Sequence, residues 1–134
     1  SVSSSLPPHL HTLEHFHFEN WPNYDVATDA STTATLLRRI VEASTTGDSR
    51  HPIVVHCSGG VGRSGTFVAA ATTLLMCGGY SSDQGDWSSA HFAGIVTAMR
   101  QQRHPWMVEG FEQFHFGARL AAKEILSASA ESTY

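Results

Sequence analysis

The chain has 134 residues, 41% of them hydrophobic and 15% charged, a globular composition in the size range of one domain. Its net charge is −4, Lys123 is the only lysine, and the arginines are scattered from Arg38 to Arg119, so no basic stripe exists to neutralise a nucleic-acid backbone. No apolar run approaches the ~20 residues of a membrane span, and residues 1–8 lack the charged and apolar regions of a signal peptide, so neither nucleic acid nor membrane is an expected partner.

Cys57 and Cys77 show neither paired nor metal-type spacing, and a disulfide framework needs more cysteines, which points to a reducing, cytoplasmic setting. The chain opens on serine, as a fragment, a processed product or a trimmed chain would.

In chain order, the first residues are small and polar and end in Pro7-Pro8, an extended linker over about residues 1–9. From Leu10 to Phe18 the pattern alternates, with Phe16 and Phe18 on one face and His15 and His17 on the other, as a strand requires. Residues 21–25 carry turn formers without period and read as a loop. Ser31 or Thr32 is placed to cap a helix bearing Leu36, Leu37, Ile40 and Val41, stopped by Gly47. Pro52 then precedes Ile53-Val54-Val55, a β-branched run typical of a buried parallel strand.

A glycine-rich turn, residues 56–65, leads into a helix over 66–77 with Phe67, Ala71, Leu74 and Leu75 as its apolar stripe, closed by Gly78-Gly79. Cys77 reads as a packing residue of that helix. After a polar loop at 81–86, two amphipathic helices are predicted. One spans roughly 88–102 with Phe92, Ile95, Val96 and Met99; the other spans roughly 110–126 with Phe111, Phe114, Ala118, Ala122 and Ile125. The order of strands and helices predicts an α/β (α+β) fold with few parallel or mixed strands, over residues 10–128, followed by a tail at 129–134.

The chemistry is concentrated in His56-Cys57-Ser58-Gly59-Gly60-Val61-Gly62-Arg63-Ser64-Gly65. Glycines at the start of a helix let successive N–H groups converge, and with the helix dipole they form a cradle for a phosphate. Cys57 stands at its base, where those N–H groups and the Arg63 cation favour thiolate and should bring its pKa into the range of about 3.5–7.5. Arg63 closes the loop and can grip two phosphate oxygens at once. Residues 60–65 also fit a G-x-G-x-x-G dinucleotide fingerprint, but Asp83 and Asp86 follow no strand that would place an acid on a ribose. A Walker loop fails for want of a lysine after the glycines.

The string His-Cys, five residues, Arg-Ser-Gly is similar to the signature of the cysteine-dependent protein tyrosine phosphatases, and the resemblance extends from about Leu10 onward, over the C-terminal half of that family's catalytic domain. It implies that Cys57 attacks phosphorus to form a cysteinyl-phosphate and that Arg63 binds the transferring group. Ser64 then helps the thiolate leave, and His56 gives structural and electrostatic support. Ser58, Gly59, Gly60, Val61, Gly62 and Arg63 would form the phosphate-binding loop. The implied partner is a phosphotyrosine-containing protein or peptide, and the family uses no cofactor and no metal.

Two flanking segments resemble family loops with changes. Trp21-Pro22-Asn23 looks like the Trp-Pro-Asp loop whose aspartate protonates the leaving oxygen, but Asn23 has no proton to give, and general acid catalysis is typically worth ~10²–10⁴-fold. Asp25, where the family has glycine, reads either as a substitute acid or as a solvated loop carboxylate. Ala27 replaces a proline, which makes the loop less stiff. Further on, residues 100–103 and 107–114 resemble the family's glutamine loop, in which Gln113 matches one conserved glutamine. Glu109 stands at the water-positioning position, either as a base on that water or as an ordinary acid in a helix's first turn, and the stretch 104–106 is one residue longer than common.

His9, His11, His15 and His17 share strand faces, but no further ligand is spaced to complete a metal site. Against a phosphatase-type hydrolase weakened by loss of its acid stands a pseudophosphatase that holds phosphopeptides without efficient turnover. The N-terminal half of the family domain, with the remaining strands, is a further expected partner. Without it, the two strands present unpaired edges, and the chain should be marginally stable and prone to associate.

Overall fold

A computed structural model describes residues 13–46, 52–77 and 89–131. Four helices organise these residues: α1 (Ala30–Thr46), α2 (Gly62–Met76), α3 (Ser89–Gln102) and α4 (Gly110–Glu131). Small residues decide which helix lies at the centre. Ala69, Ala70 and Ala71 on α2 leave room for neighbours on several sides, and α1, α3 and α4 all pack against it. The buried hydroxyls of Thr66 and Thr73 on α2 donate to the carbonyls of Gly62 at 3.0 Å and Ala69 at 2.8 Å, so they enter the core satisfied.

The core joins Leu37 and Val41 of α1, Phe67 and Leu74 of α2, Phe92 and Val96 of α3, and Ala118, Leu120 and Ala121 of α4. Phe92 meets Phe114 edge-on at 5.1 Å. A β-carbon on Gly117 would stand 2.6 Å from Phe92 Cζ and 3.0 Å from Thr66 Cγ2, so only glycine lets α4 approach this closely. On the opposite flank, Arg38 of α1 donates to the buried carboxylate of Glu124 on α4 at 2.7 Å. Losing Arg38 would leave that charge buried and unpaired.

The helical periodicities place the core residues with two exceptions: Leu75 and Phe111, expected on apolar stripes, are turned outward, Phe111 with 69% of its surface exposed. Cys77 is half-buried just beyond α2 and closes its last turn by donating its N–H to the carbonyl of Thr73 at 2.9 Å. α4 runs on through residue 131. The expected linker residues 1–9, the stops at 47 and 78–79 and the loop at 81–86 lie outside the described residues.

The expected α/β (α+β) fold is overturned: among the described residues there are four helices and no strand. Residues 13–20 and 52–57 are extended, as alternation and β-branching dictate, but no hydrogen-bond ladder pairs them with each other or with any described neighbour. Side-chain pattern sets an extended backbone, whereas a strand also needs an adjacent strand to receive its N–H and C=O groups. Of the buried strand expected at 53–55, Ile53 is exposed by 41% and Val54 by 79%, and only Val55 is partly buried against the core. The 13–20 segment is held by side chains instead: Glu14 pairs with Arg39, whose guanidinium covers the Phe16 ring at 4.9 Å, and Phe18 meets Trp21 edge-on at 6.3 Å.

The cap of α1 is also corrected. Ser31 and Thr32 are donors here, and Asp29 is the cap, its Oδ1 accepting the N–H groups of both residues at 3.0 Å. The aspartate's longer arm reaches two amides at once, satisfying donors that a helix start leaves free. The hydroxyl and N–H of Thr32, followed by those of Ser31, outweigh a small opposing effect of burial and lower the Asp29 pKa from 3.8 to about 2. Because the folded value lies below the unfolded one, this contribution to α1 is full above about pH 4 and is lost as the pH falls from 3.8 toward 2. The acid limb of a circular-dichroism titration should shift when Asp29→Asn is introduced; an unchanged limb would remove Asp29 from the cap's pH dependence.

Candidate active site

The turn 58–61 brings the N-terminus of α2 beneath a pocket of about 300 Å³. Cys57, Ser58, Gly59, Val61, Gly62 and Arg63 form one part of its wall; Asn23 and Tyr24 form another, and His104, Trp106, Glu109 and Gln113 a third. Gly60 adopts φ +67°, a conformation that costs glycine nothing, and this turns its N–H onto Cys57 Sγ at 3.2 Å. The buried Ser64 places its hydroxyl 3.4 Å from the same sulfur. Partial burial pushes the thiol pKa up, but the Ser64 hydroxyl and the N–H groups of Ser64, Val61 and Gly60 together outweigh it, and the value falls from 9.0 to about 7. Cys77 has no such donors, and burial raises its pKa.

Arg63 reaches from the first turn of α2 to the loop after residue 20. Its Nη1 donates to the Trp21 carbonyl at 2.9 Å and its Nη2 to Asn23 Oδ1 at 3.1 Å. Trp21 is itself fixed: buried, edge-on to Phe116 at 5.4 Å, with its indole N–H donating to the Asp25 carbonyl at 2.8 Å. Pro22 is exposed between these anchors. Asp25 does not line the pocket, because its Oδ1 accepts the N–H of Val26 at 2.8 Å and so closes the loop on itself. Tyr24 is held at φ +62°, the left-handed region that disfavours side chains, at a cost of about 1–3 kcal/mol.

The segment between α3 and α4 supplies the rest. Val108 is fully buried yet sits at φ +61°, an outlier for a β-branched residue. Its N–H donates to the Val61 carbonyl at 3.2 Å, and Arg100 on α3 donates to the carbonyls of Met107 at 2.9 Å and Val108 at 3.1 Å. Glu109 follows and donates its N–H to Gln113 Oε1 at 3.1 Å, while Gln113 Nε2 donates to the Asp25 carbonyl at 3.1 Å. Gln113 thus ties two loops together from a buried position. A β-carbon on Gly62 would stand 2.7 Å from Gln113 Oε1 and 3.1 Å from Glu109 Oε2, which sets the Glu109 carboxylate against the start of α2.

His56 stands outside the pocket wall, exposed, with Nδ1 3.4 Å from the Cys57 carbonyl. Tyr24, His104 and Trp106 line the pocket although sequence reasoning gave them no site role; the extra residue at 104–106 was the available signal. Arg103 was missed as well: its Nη2 lies 2.9 Å from where a β-carbon on Gly60 would be, a second guanidinium beside the loop.

A sulfur of lowered pKa at the foot of a loop of N–H groups, with an arginine beside it, can attack and hold a phosphoryl group. The protein-tyrosine phosphatase family model matches residues 2–123, and the chain therefore belongs to the protein-tyrosine phosphatase family. Over 104 residues it is 35% identical to tyrosine-protein phosphatase 2 of Dictyostelium discoideum, covering 78% of this chain and 26% of that one. Over 106 residues it is 41% identical to the receptor-type tyrosine-protein phosphatase eta of Gallus gallus, covering 79% of this chain and 7% of that one. With the human tyrosine-protein phosphatase non-receptor type 2 it shares 35% identity over 65 residues, 48% of this chain and 16% of that protein. The chain thus spans about a quarter or less of the length of these relatives. Both receptor and non-receptor types are among them, and no helix of the described residues is long and apolar enough to cross a membrane.

Proposed function

We propose that this site hydrolyses phosphotyrosine in proteins through a cysteinyl-phosphate, with turnover slowed at protonation of the leaving oxygen. The Cys57 thiolate forms a bond to phosphorus as the phosphorus–phenolic oxygen bond breaks; water then attacks phosphorus, the sulfur leaves as thiolate, and inorganic phosphate departs. The N–H groups of the 58–63 loop and Arg63 carry the phosphoryl charge, Ser64 stabilises the departing sulfur, and His56 gives structural and electrostatic support. Glu109, which lines the pocket, is the candidate for positioning the water of the second step, and Gln113 braces the loop that carries it. The observation that carries this reading is the Cys57 sulfur at the pocket, with Gly60 N–H at 3.2 Å, Ser64 Oγ at 3.4 Å and a pKa of about 7.

One observation favours a second reading, a module that binds phosphopeptides with little turnover. Asn23 offers an amide where the family has its acid, and that amide accepts a hydrogen bond from Arg63. Asp25 is committed to Val26 N–H and does not line the pocket. Both readings need a reduced thiol, which fits a cytoplasmic setting, and the exposure of Ile53 and Val54 supports a strand-bearing N-terminal half of the family domain as a further partner.

Alkylation by iodoacetamide tests the nucleophile directly. With a pKa of about 7, Cys57 is about half thiolate at pH 7, against about one part in a hundred for a thiol at 9.0, so its modification should rise with a midpoint near pH 7 while Cys77 lags. Tungstate should protect Cys57, and Arg63→Ala should remove the protection. A midpoint near 9, or protection that survives Arg63→Ala unchanged, would count against the assignment.

A further inference from the structure

Trp106 is a large apolar side chain with 66% of its surface exposed, at the wall of the pocket that contains Cys57. Its backbone is nevertheless firmly placed. Its N–H donates to His104 Nδ1 at 3.2 Å, Met107 N–H donates to the His104 carbonyl at 3.0 Å, and the two residues that follow, Met107 and Val108, are buried with their carbonyls held by Arg100. The turn is pinned at both ends and the indole is left with no described side-chain partner. Burial of tryptophan is strongly favourable, so an indole held open beside a reactive site is a surface to which a ligand can add apolar contact.

An inorganic oxyanion has no use for such a wall, since the loop and Arg63 satisfy its charge. The group that gains from Trp106 is whatever carries the phosphate. A planar ring would present a face or edge to the indole, whereas a short aliphatic ester would cover little of it.

Resting on the reading of the site given above, we propose that Trp106 is a specificity-determining residue that packs its indole against the aryl group of a bound aryl phosphate. The proposal assigns no chemical step to Trp106. It predicts a preference for aryl over alkyl carriers that resides in this one side chain.

Phenylphosphonate and methylphosphonate separate the two parts of the site, because they share a head group and neither is hydrolysed. Their dissociation constants on the parent chain, Trp106→Ala and Trp106→Phe are measured by calorimetry, with methylphosphonate as the internal reference. Trp106→Ala should reduce the phenyl-over-methyl preference about ten-fold, the scale of one aromatic contact, and Trp106→Phe should restore most of it. A preference unchanged in Trp106→Ala, with both phosphonates still bound, overturns the role of Trp106 and leaves the anion site standing. If neither phosphonate binds the parent chain, the anion site itself is wrong, and the role of Trp106 falls with it.

Discussion

Asn23→Asp, in a chain that also carries the N-terminal half of the family domain, is expected to raise the rate of phosphotyrosine-peptide hydrolysis by at least ten-fold, toward the ~10²–10⁴-fold that a positioned general acid can contribute. Asn23 already lies at the pocket wall, within hydrogen-bond distance of Arg63, so the substitution changes a proton inventory and not a place. The gain should depend on the leaving group. A phenolate of high pKa needs a proton as the ester bond breaks, whereas a nitrophenolate leaves readily without one, so the nitrophenyl ester should benefit far less. Cys57→Ser should abolish turnover in both backgrounds, since no thiolate is then present to form the cysteinyl-phosphate. A peptide rate unmoved by Asn23→Asp but lowered by Asp25→Asn would make Asp25 the acid, despite its bond to Val26 N–H.

Phe92→Ala should cost about 3–5 kcal/mol of stability, the usual range for deleting a buried phenyl ring. Phe92 has no exposed surface, meets Phe114 edge-on, and fills the space opened by the absent side chain of Gly117. No neighbour can close that gap without moving α4. Since a domain's whole stability is about 5–15 kcal/mol, the variant should be largely unfolded or should melt far lower. Phe111→Ala, on the exposed side of α4, is the matched control and should change the denaturation midpoint little. A Phe92→Ala chain within about 1 kcal/mol of the parent would show that α3 is not part of the cooperative core.

The helices were legible because each depends mainly on its own residues: Leu37 and Val41, or Phe92 and Val96, fall on one face by spacing alone, and all are buried. The cradle was legible for a similar reason, since its glycines, cysteine and arginine lie within ten residues of one another. The strands were not, because extended geometry is a local property and a ladder is not. The N-cap of α1 was misread as Ser31 or Thr32, where the reach of Asp29 decided the outcome. Contacts that span the chain left no local trace. Arg63 to Asn23 crosses 40 residues and Gln113 to Asp25 crosses 88, so their alignment became visible only in three dimensions.

Arg100 lines no part of the pocket, yet it holds the two carbonyls on which the strained turn at Val108 rests, and that turn is bonded directly to Val61 in the cradle. The left-handed conformation of Val108 persists only while its surroundings over-determine it. The last turn of α3 therefore acts as a fuse for the site. Should that turn fray, Val108 can relax toward an ordinary backbone conformation, and the Val61 carbonyl loses the N–H bonded to it. The order of this pocket wall then depends on a local opening, which can cost less free energy than unfolding the whole molecule.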